Sequence, residues 1–504
     1  MATVAPSRAR GPIVASIDVG TTSVRVLLFD ARGRQVRGVV AQRATSLTTT
    51  IDGGAEMAPD DLMERTSAVL DEALAQAEAA GLSIAGVAMS TFWHSALGVD
   101  DRWRPTTPLY LWADSRSREA MPTLRERLDP VETHARTGCV LHWSYLPAKL
   151  LWLSRVSPAA FQATARWVSF GEYLYGHLFG QAGCSISMAS GTGLLDQNKR
   201  TWDQGVIDAL PISEEHLGPL IDLNEPSSGL REPFCWRWPG LASVPWYPAV
   251  GDGACSNVGS GCVTRDRVAL MVGTSGAMRV AWAADSVTIP EGSWCYRIDG
   301  RRFVIGGALT NGGNLFAWLR DSLRLGTVAE CERALAAMEP DGHGLTVLPF
   351  LAGERAPGYA PNARAAILGM TLATRPIDIL RAGLEAVALR FALLHEIISR
   401  EVPDARQVVA TGGALTRSPA WVQMMADALG TPIAVSSEAE GSSRGAALLA
   451  LEQLGVVPDV ATLPTRTGRV YQPDPRRHAV YRTAQQRHRD YYRRLVLESG
   501  QPPT

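Results

Sequence analysis

At 504 residues the chain is too long for one hydrophobic core and fits two domains of roughly 250 residues each. With 46% apolar residues, 20% charged residues and a net charge of −1, it reads as globular, with no nucleic-acid or acidic-membrane partner. Its seven cysteines are odd in number and never spaced CxxC, which argues against a zinc site or disulfide framework and points to a reducing cytoplasm. The first residues carry no signal-peptide core and no apolar run reaches membrane-spanning length, so a cytoplasmic protein is expected.

The stretch Ile13 to Arg25, IVASIDVGTTSVR, predicts strand, tight turn, strand, with Asp18 and the hydroxyls of Thr21, Thr22 and Ser23 at the bend. Gly20 permits a backbone conformation in which successive N–H groups converge on an anion. Asp18 would repel a bare phosphate but accept one carrying Mg²⁺. An ordinary hairpin whose Asp and Thr residues serve only the turn fits this stretch equally well. A third strand follows at Gln35 to Gln42, and Pro59 starts a helix with acidic residues in its first turn and Gly81 at its end. The apolar strand Ile84 to Ser90 then runs directly into Thr91-Phe92-Trp93-His94-Ser95. A polar cluster at the end of a buried strand is where open α/β sheets place ligands.

Further on lie LYLWADSRSRE (109–119) and a loop holding Gly138, His142 and Trp143, followed by a helix from about Pro147. The second half opens with AVGDGACSNVGSG (249–261), and VALMVGTSGAMRVAWA (268–283) repeats the opening strand–turn–strand theme as a weak internal duplication. Duplicated hairpins in two α/β halves leave a cleft suited to a nucleotide. Then come FVIGGALTNGGNLFAWLRD (303–321), a long helix from about Pro376 to Arg400, and VVATGGALTRSPAWVQMMADALG (408–430). The stretch from Pro475 carries seven arginines, with Tyr481, Ala484, His488, Tyr491 and Leu495 at helical spacing; it reads as a surface helix with a solvated basic face.

Neither lysine, Lys149 or Lys199, follows a GxxxxG, and HExxH, GxSxG and GxGxxG are absent. Phosphate chemistry would therefore rest on glycine turns, hydroxyls, arginine and metal, as in two-domain actin-like ATPases. From residue 13 to about 452 the chain resembles the FGGY family of carbohydrate kinases. IDVGTTSVR and MVGTSGAMR resemble the two phosphate motifs, VVATGGALTRSPAW the adenosine motif, and VGDGACSNVGSG the segment with the catalytic aspartate. WHS (93–95), WADSRS (112–117), TGCVLH (137–142), GGALTNGG (306–313) and LAGERAP (351–357) together most resemble gluconokinases.

The resemblance implies two actin-like (ribonuclease H-like) α/β domains with a cleft between them. These are 1–264, holding sugar and catalytic Asp, and 265–470, holding nucleotide, with 471–504 as a basic helical tail. It further implies ATP and Mg²⁺ as cofactors, a small sugar or sugar acid as substrate, and a homodimer as one open possibility. Gly20, Thr21 and Thr22 would lie against the terminal phosphates with Arg25 nearby, and Asp18 would hold Mg²⁺ through water. Gly273, Thr274 and Ser275 would form the facing turn. Gly412 and Gly413, flanked by Arg417 or Ser418, would take the adenosine, with Asn311 and Gly312 completing the pocket. Asp252, read as exposed at a turn, would accept the proton of the attacking hydroxyl, and Trp93, His94 and Asp114 would contact the polyol. Arg355 could meet a substrate carboxylate or pair with Glu354.

Two departures matter. Gly253 stands where pentulose kinases of the family usually carry Asn or Gln, and WHS replaces the MHG typical of xylulokinases. Both favour phosphorylation of D-gluconate at its terminal hydroxyl over a ketose or polyol. A non-catalytic sugar-binding regulator conflicts with the retained Asp18, Asp252 and both Gly-Thr turns, and an assembly ATPase would leave WHS, WADSR and GERAP without a purpose.

Overall fold

Two strand–turn–strand units seed two sheets of matching topology in the computed structural model, which describes residues 3–498. In the first sheet, β1 (Thr3–Val4), β2 (Ile13–Val19), β3 (Ser23–Phe29), β4 (Gln35–Ala44), β5 (Ile84–Thr91) and β6 (Val250–Gly251) are ordered β1-β4-β3-β2-β5-β6. β2 pairs antiparallel with β3 and parallel with β5, so the hairpin's first strand is central. All seven of its residues are buried, as a strand covered on both faces requires. Helix α1 (Pro59–Ala79) covers one face through Leu62, Val69, Leu70 and Ala73.

The second sheet repeats the plan. β7 (Arg267–Val272) pairs antiparallel with β8 (Gly276–Ala283) and parallel with β11 (Gln407–Thr411), and β11 continues parallel to β12 (Ile433–Ser436). β9 (Trp294–Arg297) and β10 (Arg302–Leu309) extend the hairpin side, and β13 (Thr467–Tyr471) closes the far edge. The duplication legible only as G-T-[TS] is thus a duplication of sheet topology. Helix α6 (Pro376–Glu401) runs through the second core with seventeen buried residues, and α7 (Pro419–Leu429) packs against it.

The two units share their material. Helix α8 (Gly441–Gln453), expected with the second unit, places Ala446 to Leu451 in the first core and lies against α4 (Asp252–Gly259). Trp294, Tyr296 and Ile298 of the second sheet also join the first core. Arg302, 2% exposed, holds the end of α8 through Glu452 at 2.6 Å. The last helix, α9 (Pro475–Tyr492), is not solvated all round: Tyr481, Ala484, Gln485 and His488 are buried, Tyr481 and Ala484 in the second core. Arg476 and Arg482 are exposed, whereas Arg487 and Arg489 turn inward to pair with Asp341 and Glu396.

The α4–α8 contact is close enough to be tested by one methyl group. A Cβ on Gly259 would stand 1.9 Å from the backbone oxygen of Gly441. Gly259→Ala is expected to lower unfolding stability by about 1–3 kcal/mol, read by denaturant titration, although alanine is the better helix former. Gly240→Ala, where nothing lies within 4 Å, serves as the control and should change little.

Candidate active site

The first sheet delivers Asp252. β6 pairs with the end of β5 in the register Val250↔Ser90 and Gly251↔Thr91, so Asp252 begins α4 beside the chain that continues into Trp93 and His94. It is therefore the first residue of a helix rather than an exposed turn residue. The indole of Trp93 lies flat against this backbone: a Cβ on Gly251 would be 1.9 Å from the ring and one on Gly253 2.8 Å. Trp93 Nε1 donates to the Ser187 carbonyl at 2.8 Å, and the Gly251 N–H donates to Ser187 Oγ at 3.2 Å. Burial pushes the Asp252 carboxyl up to about 6; the negative charge of Asp18 adds to this, while Arg279 and the Gly253 N–H, at 2.7 Å, oppose it.

A cleft of about 500 Å³ opens from Asp252 toward the second sheet, lined by Arg25, Arg279, Gly412, Gly413 and Arg417 among others. That volume suits a nucleotide-sized ligand. Arg279 is 5% exposed; its Nε donates to Asn257, and its Nη2 has no protein partner. Thr411, also in the lining, has an unpartnered buried hydroxyl. Gly412, at φ +85°, brings the chain so close to β7 that a Cβ would lie 2.4 Å from the Val272 oxygen. The Gly313 N–H donates to Gly273 O at 2.8 Å, so the Gly273–Ser275 turn, Asn311–Gly312 and Gly412–Gly413 meet at one place. Asp18 Oδ2 accepts from Arg25 at 2.9 Å and from Ser443 Oγ at 3.3 Å, which leaves Oδ1 without a protein partner among the described residues. Asp18 is 4% exposed and its charge acts on Asp252; a carboxylate oxygen without a protein partner is chemically suited to a largely hydrated Mg²⁺.

Both units also contribute to a buried polar cluster around His94, where Arg355 is close enough for its charge to act on His94 and Asp252. His94 has φ +64°, uncommon for a non-glycine residue, and its Nδ1 donates to the Gly191 carbonyl, leaving Nε2 as an acceptor. Burial, with the positive charge of Arg355, brings its pKa down to about 3, so the imidazole is neutral at working pH. Tyr145 and Tyr296 flank it edge-on and share a hydrogen bond of 2.7 Å between their hydroxyls. The Ser144 N–H donates to His142 Nδ1, so His142 Nε2 carries the proton, is buried and has no partner. Tyr359, at φ +49°, stands edge-on to His142 at 5.9 Å with its buried hydroxyl unpartnered. Lys149, 1% exposed, donates to the Trp143 and Ser144 carbonyls and fixes the His142 loop; burial brings its pKa down to about 7.

Several expected roles change. Arg25 is held between Asp18 and Glu440 (2.7 Å) instead of standing free for phosphate. Gly20, Thr21 and Thr22 lie outside the cleft lining, where the Thr21 carbonyl accepts from Thr45 Oγ1. Asn311 spends its side-chain amide on the Ala352 N–H and the Gly353 carbonyl, tying the phosphate side to the GERAP loop. Ser418 caps α7 at the Trp421 N–H and donates to Glu332, so Arg417 alone of that pair faces the cleft. Asp114, 1% exposed, accepts from Arg116 and the Ala55 N–H, so its carboxylate already has protein partners. Trp93, with its indole N–H used on Ser187, is a platform for Asp252 rather than a hydrogen-bonding ligand. Glu354 is taken by Arg390, so the Arg355 guanidinium, lying over the Trp112 ring at 5.7 Å, makes no ion pair or hydrogen bond among the described residues.

His142, Tyr145, Tyr296, Tyr359, Arg279 and Lys149 were not singled out as site residues in the sequence. His142 stood in view within TGCVLH and Lys149 as one of two lysines. The tyrosines come from three separate segments and meet only through the fold.

A buried carboxylate at a helix start, facing a glycine-lined cleft with a partly unpartnered arginine, is an arrangement compatible with in-line phosphoryl transfer. Residues 13–259 match the N-terminal domain of the FGGY family of carbohydrate kinases and residues 268–453 its C-terminal domain. The chain belongs to that family, whose members are ATP-dependent sugar kinases with the two-domain actin-like fold. It is 27% identical over 476 residues to the gluconokinase of Bacillus subtilis, covering 91% of each chain. It is 26% identical over 490 residues to the xylulose kinase of Escherichia coli, covering 95% of this chain and 98% of the relative. The crystal structure of gluconate kinase from Lactobacillus acidophilus superposes with a TM-score of 0.90 at 26% identity, covering 97% and 99% of the two chains.

Two outcomes follow for Asp252. Asp252→Asn should lower kcat by about 10²–10⁴-fold while nucleotide binding, measured by calorimetry, stays near wild type. For the wild type, kcat/KM should fall as pH drops through about 6, where the carboxylate protonates. The raised pKa also means that the ionised form is disfavoured by the fold, so Asp252 costs stability as pH rises from 3.8 through about 6. At neutral pH Asp252→Asn should therefore melt no lower than wild type.

Proposed function

We propose that the chain phosphorylates D-gluconate at its terminal hydroxyl. The observation that carries this choice is Arg355: its guanidinium has no counter-ion among the described residues, and it lies close enough to depress the pKa of both His94 and His142. With the His142 Nε2–H and the Tyr359 hydroxyl it supplies three unpartnered donors, a set suited to a carboxylate and left unsatisfied by an uncharged end of a ketose. His94 Nε2 is then placed to accept from a chain hydroxyl. A ketose reading draws on the xylulose kinases among the relatives, but it gives Arg355 no partner.

In the mechanism, the terminal hydroxyl of the sugar acid donates to Asp252. As its oxygen forms the new bond to the γ-phosphorus and the bond to the β-phosphate bridging oxygen breaks, Asp252 takes the proton. A carboxylate with a pKa of about 6 is ionised at neutral pH and more basic than an ordinary aspartate. Arg279, and Arg25 once it exchanges Glu440 for phosphate, meet charge on the transferring group. Asp18 would hold Mg²⁺ through water, and the bound ion would neutralise charge on the phosphate oxygens.

Replacing Arg355 separates the substrates. Arg355→Gln should raise the gluconate KM by about 10- to 100-fold, the loss of a charge-assisted bond of roughly 1.5–3 kcal/mol. KM for xylulose, if it is turned over at all, should change little. Equal loss on both sugars would place Arg355 in a general structural role and remove the basis for choosing gluconate.

A further inference from the structure

A second cavity, of about 470 Å³, lies behind the loop that carries Arg355. Its walls are the back of that loop at Pro357 and Gly358, helix α6 and helix α9. It shares no lining residue with the nucleotide cleft and is nearly as large. Three guanidinium groups belong to it, Arg390 and Arg400 from α6 and Arg489 from α9, together with the imidazole of His488, which burial keeps neutral, and the carboxylates of Glu291 and Glu401.

The hydrogen bonding of these groups is incomplete. Among the described residues neither ring nitrogen of His488, 1% exposed, has a partner; the Nε of Arg390, 2% exposed, has none; and the buried Nε of Arg489 has none, although its Nη2 is paired with Glu396. Arg400 is exposed and makes no ion pair among the described residues. Buried N–H groups left without acceptors are uncommon in folded proteins and mark places where another molecule supplies them. Leu393, Ile397 and Pro357 provide apolar wall beside these donors, which suits an anion with a carbon skeleton better than a bare one.

The cavity is wired to the sugar side. Arg390 pairs with Glu354, and Glu354 also accepts from the Tyr492 hydroxyl at 2.7 Å and the Ala360 N–H at 3.1 Å. Glu354 thus braces both ends of the segment that carries Arg355 and Tyr359. An anion that draws on Arg390 competes with Glu354 and shifts the support of that segment.

We propose that this cavity binds a small organic phosphate, separately from ATP and sugar, and that its occupancy alters sugar affinity through the Arg390–Glu354 pair. The test uses the full chain with its nucleotide cleft filled by Mg²⁺ and a non-hydrolysable ATP analogue. 3-Phosphoglycerate and inorganic phosphate are titrated in turn by calorimetry, on wild type and on the double variant Arg400→Gln, Arg489→Gln. Both positions lie outside the catalytic and sugar-binding groups, so kcat without ester and the melting temperature should match wild type. The expected result is one saturable site per chain for the ester, weakened by about tenfold or more in the variant. A change of about threefold or more in sugar KM with ester is expected in wild type and not in the variant. No saturable binding at about 1 mM ester, or binding unaffected by the double variant, would overturn the site. Inorganic phosphate binding as tightly as the ester would overturn the organic part of the assignment, and ester binding without a change in sugar KM would overturn the coupling.

Discussion

The packing of one indole against two glycines holds the reaction centre together. Trp93 presses on the backbone at Gly251 and Gly253, where no side chain would fit, and thereby sets the height of Asp252 above the end of the first sheet. Its ring nitrogen is anchored to Ser187, whose hydroxyl also accepts from Gly251 and donates to the Arg297 carbonyl of the second sheet at 2.9 Å. The base, the sugar pocket and the strand that reaches over from the other unit therefore share one support. Its energetic cost is the desolvation of Asp252, the same term that makes the carboxylate a better base.

Charge balance in the cleft follows from this placement. Asp18 and Asp252 lie close enough for each to feel the other's charge, with Arg25 and Arg279 as their counterweights. Arg279 is buried and keeps one nitrogen unpartnered, whereas Arg25 is fully occupied by Asp18 and Glu440. Glu440 immediately precedes α8, so the helix that joins the two units also carries the competitor for Arg25. Phosphate arriving at the cleft trades one acceptor of Arg25 for another, an exchange that costs less than charging an empty site.

The fold was legible because its signals are local. The duplicated strand–turn–strand units, the helix begun by Pro59 and the long helix from Pro376 rest on periodicity, glycine and proline, which act over a few residues. The site was legible only as far as its motifs run. Asp252, Gly412, Gly413 and Arg417, each drawn from a motif visible in the sequence, line one cleft. Asp114, Ser418 and Asn311 carry the right chemistry but spend it on other protein groups: Ser418 and Asn311 on Glu332 and the 352–353 backbone, both distant in sequence, and Asp114 on the neighbouring Arg116 and the distant Ala55 N–H. His142, Tyr296 and Tyr359 come from separate segments, so their convergence depends on how α8 and β9 tie the units together, which no local pattern encodes.

The measurement that bears most directly on the assignment of substrate and base is a coupled ATP-to-ADP assay run side by side with gluconate, xylulose, ribulose, glycerol, erythritol and no sugar. An unpaired Arg355 beside His142, with Asp252 as base, predicts a rate with gluconate well above every other lane and almost none without sugar. A higher rate with a ketose or polyol than with gluconate would contradict the role given to Arg355, and equal ATP turnover in all lanes would contradict a sugar-directed base at Asp252.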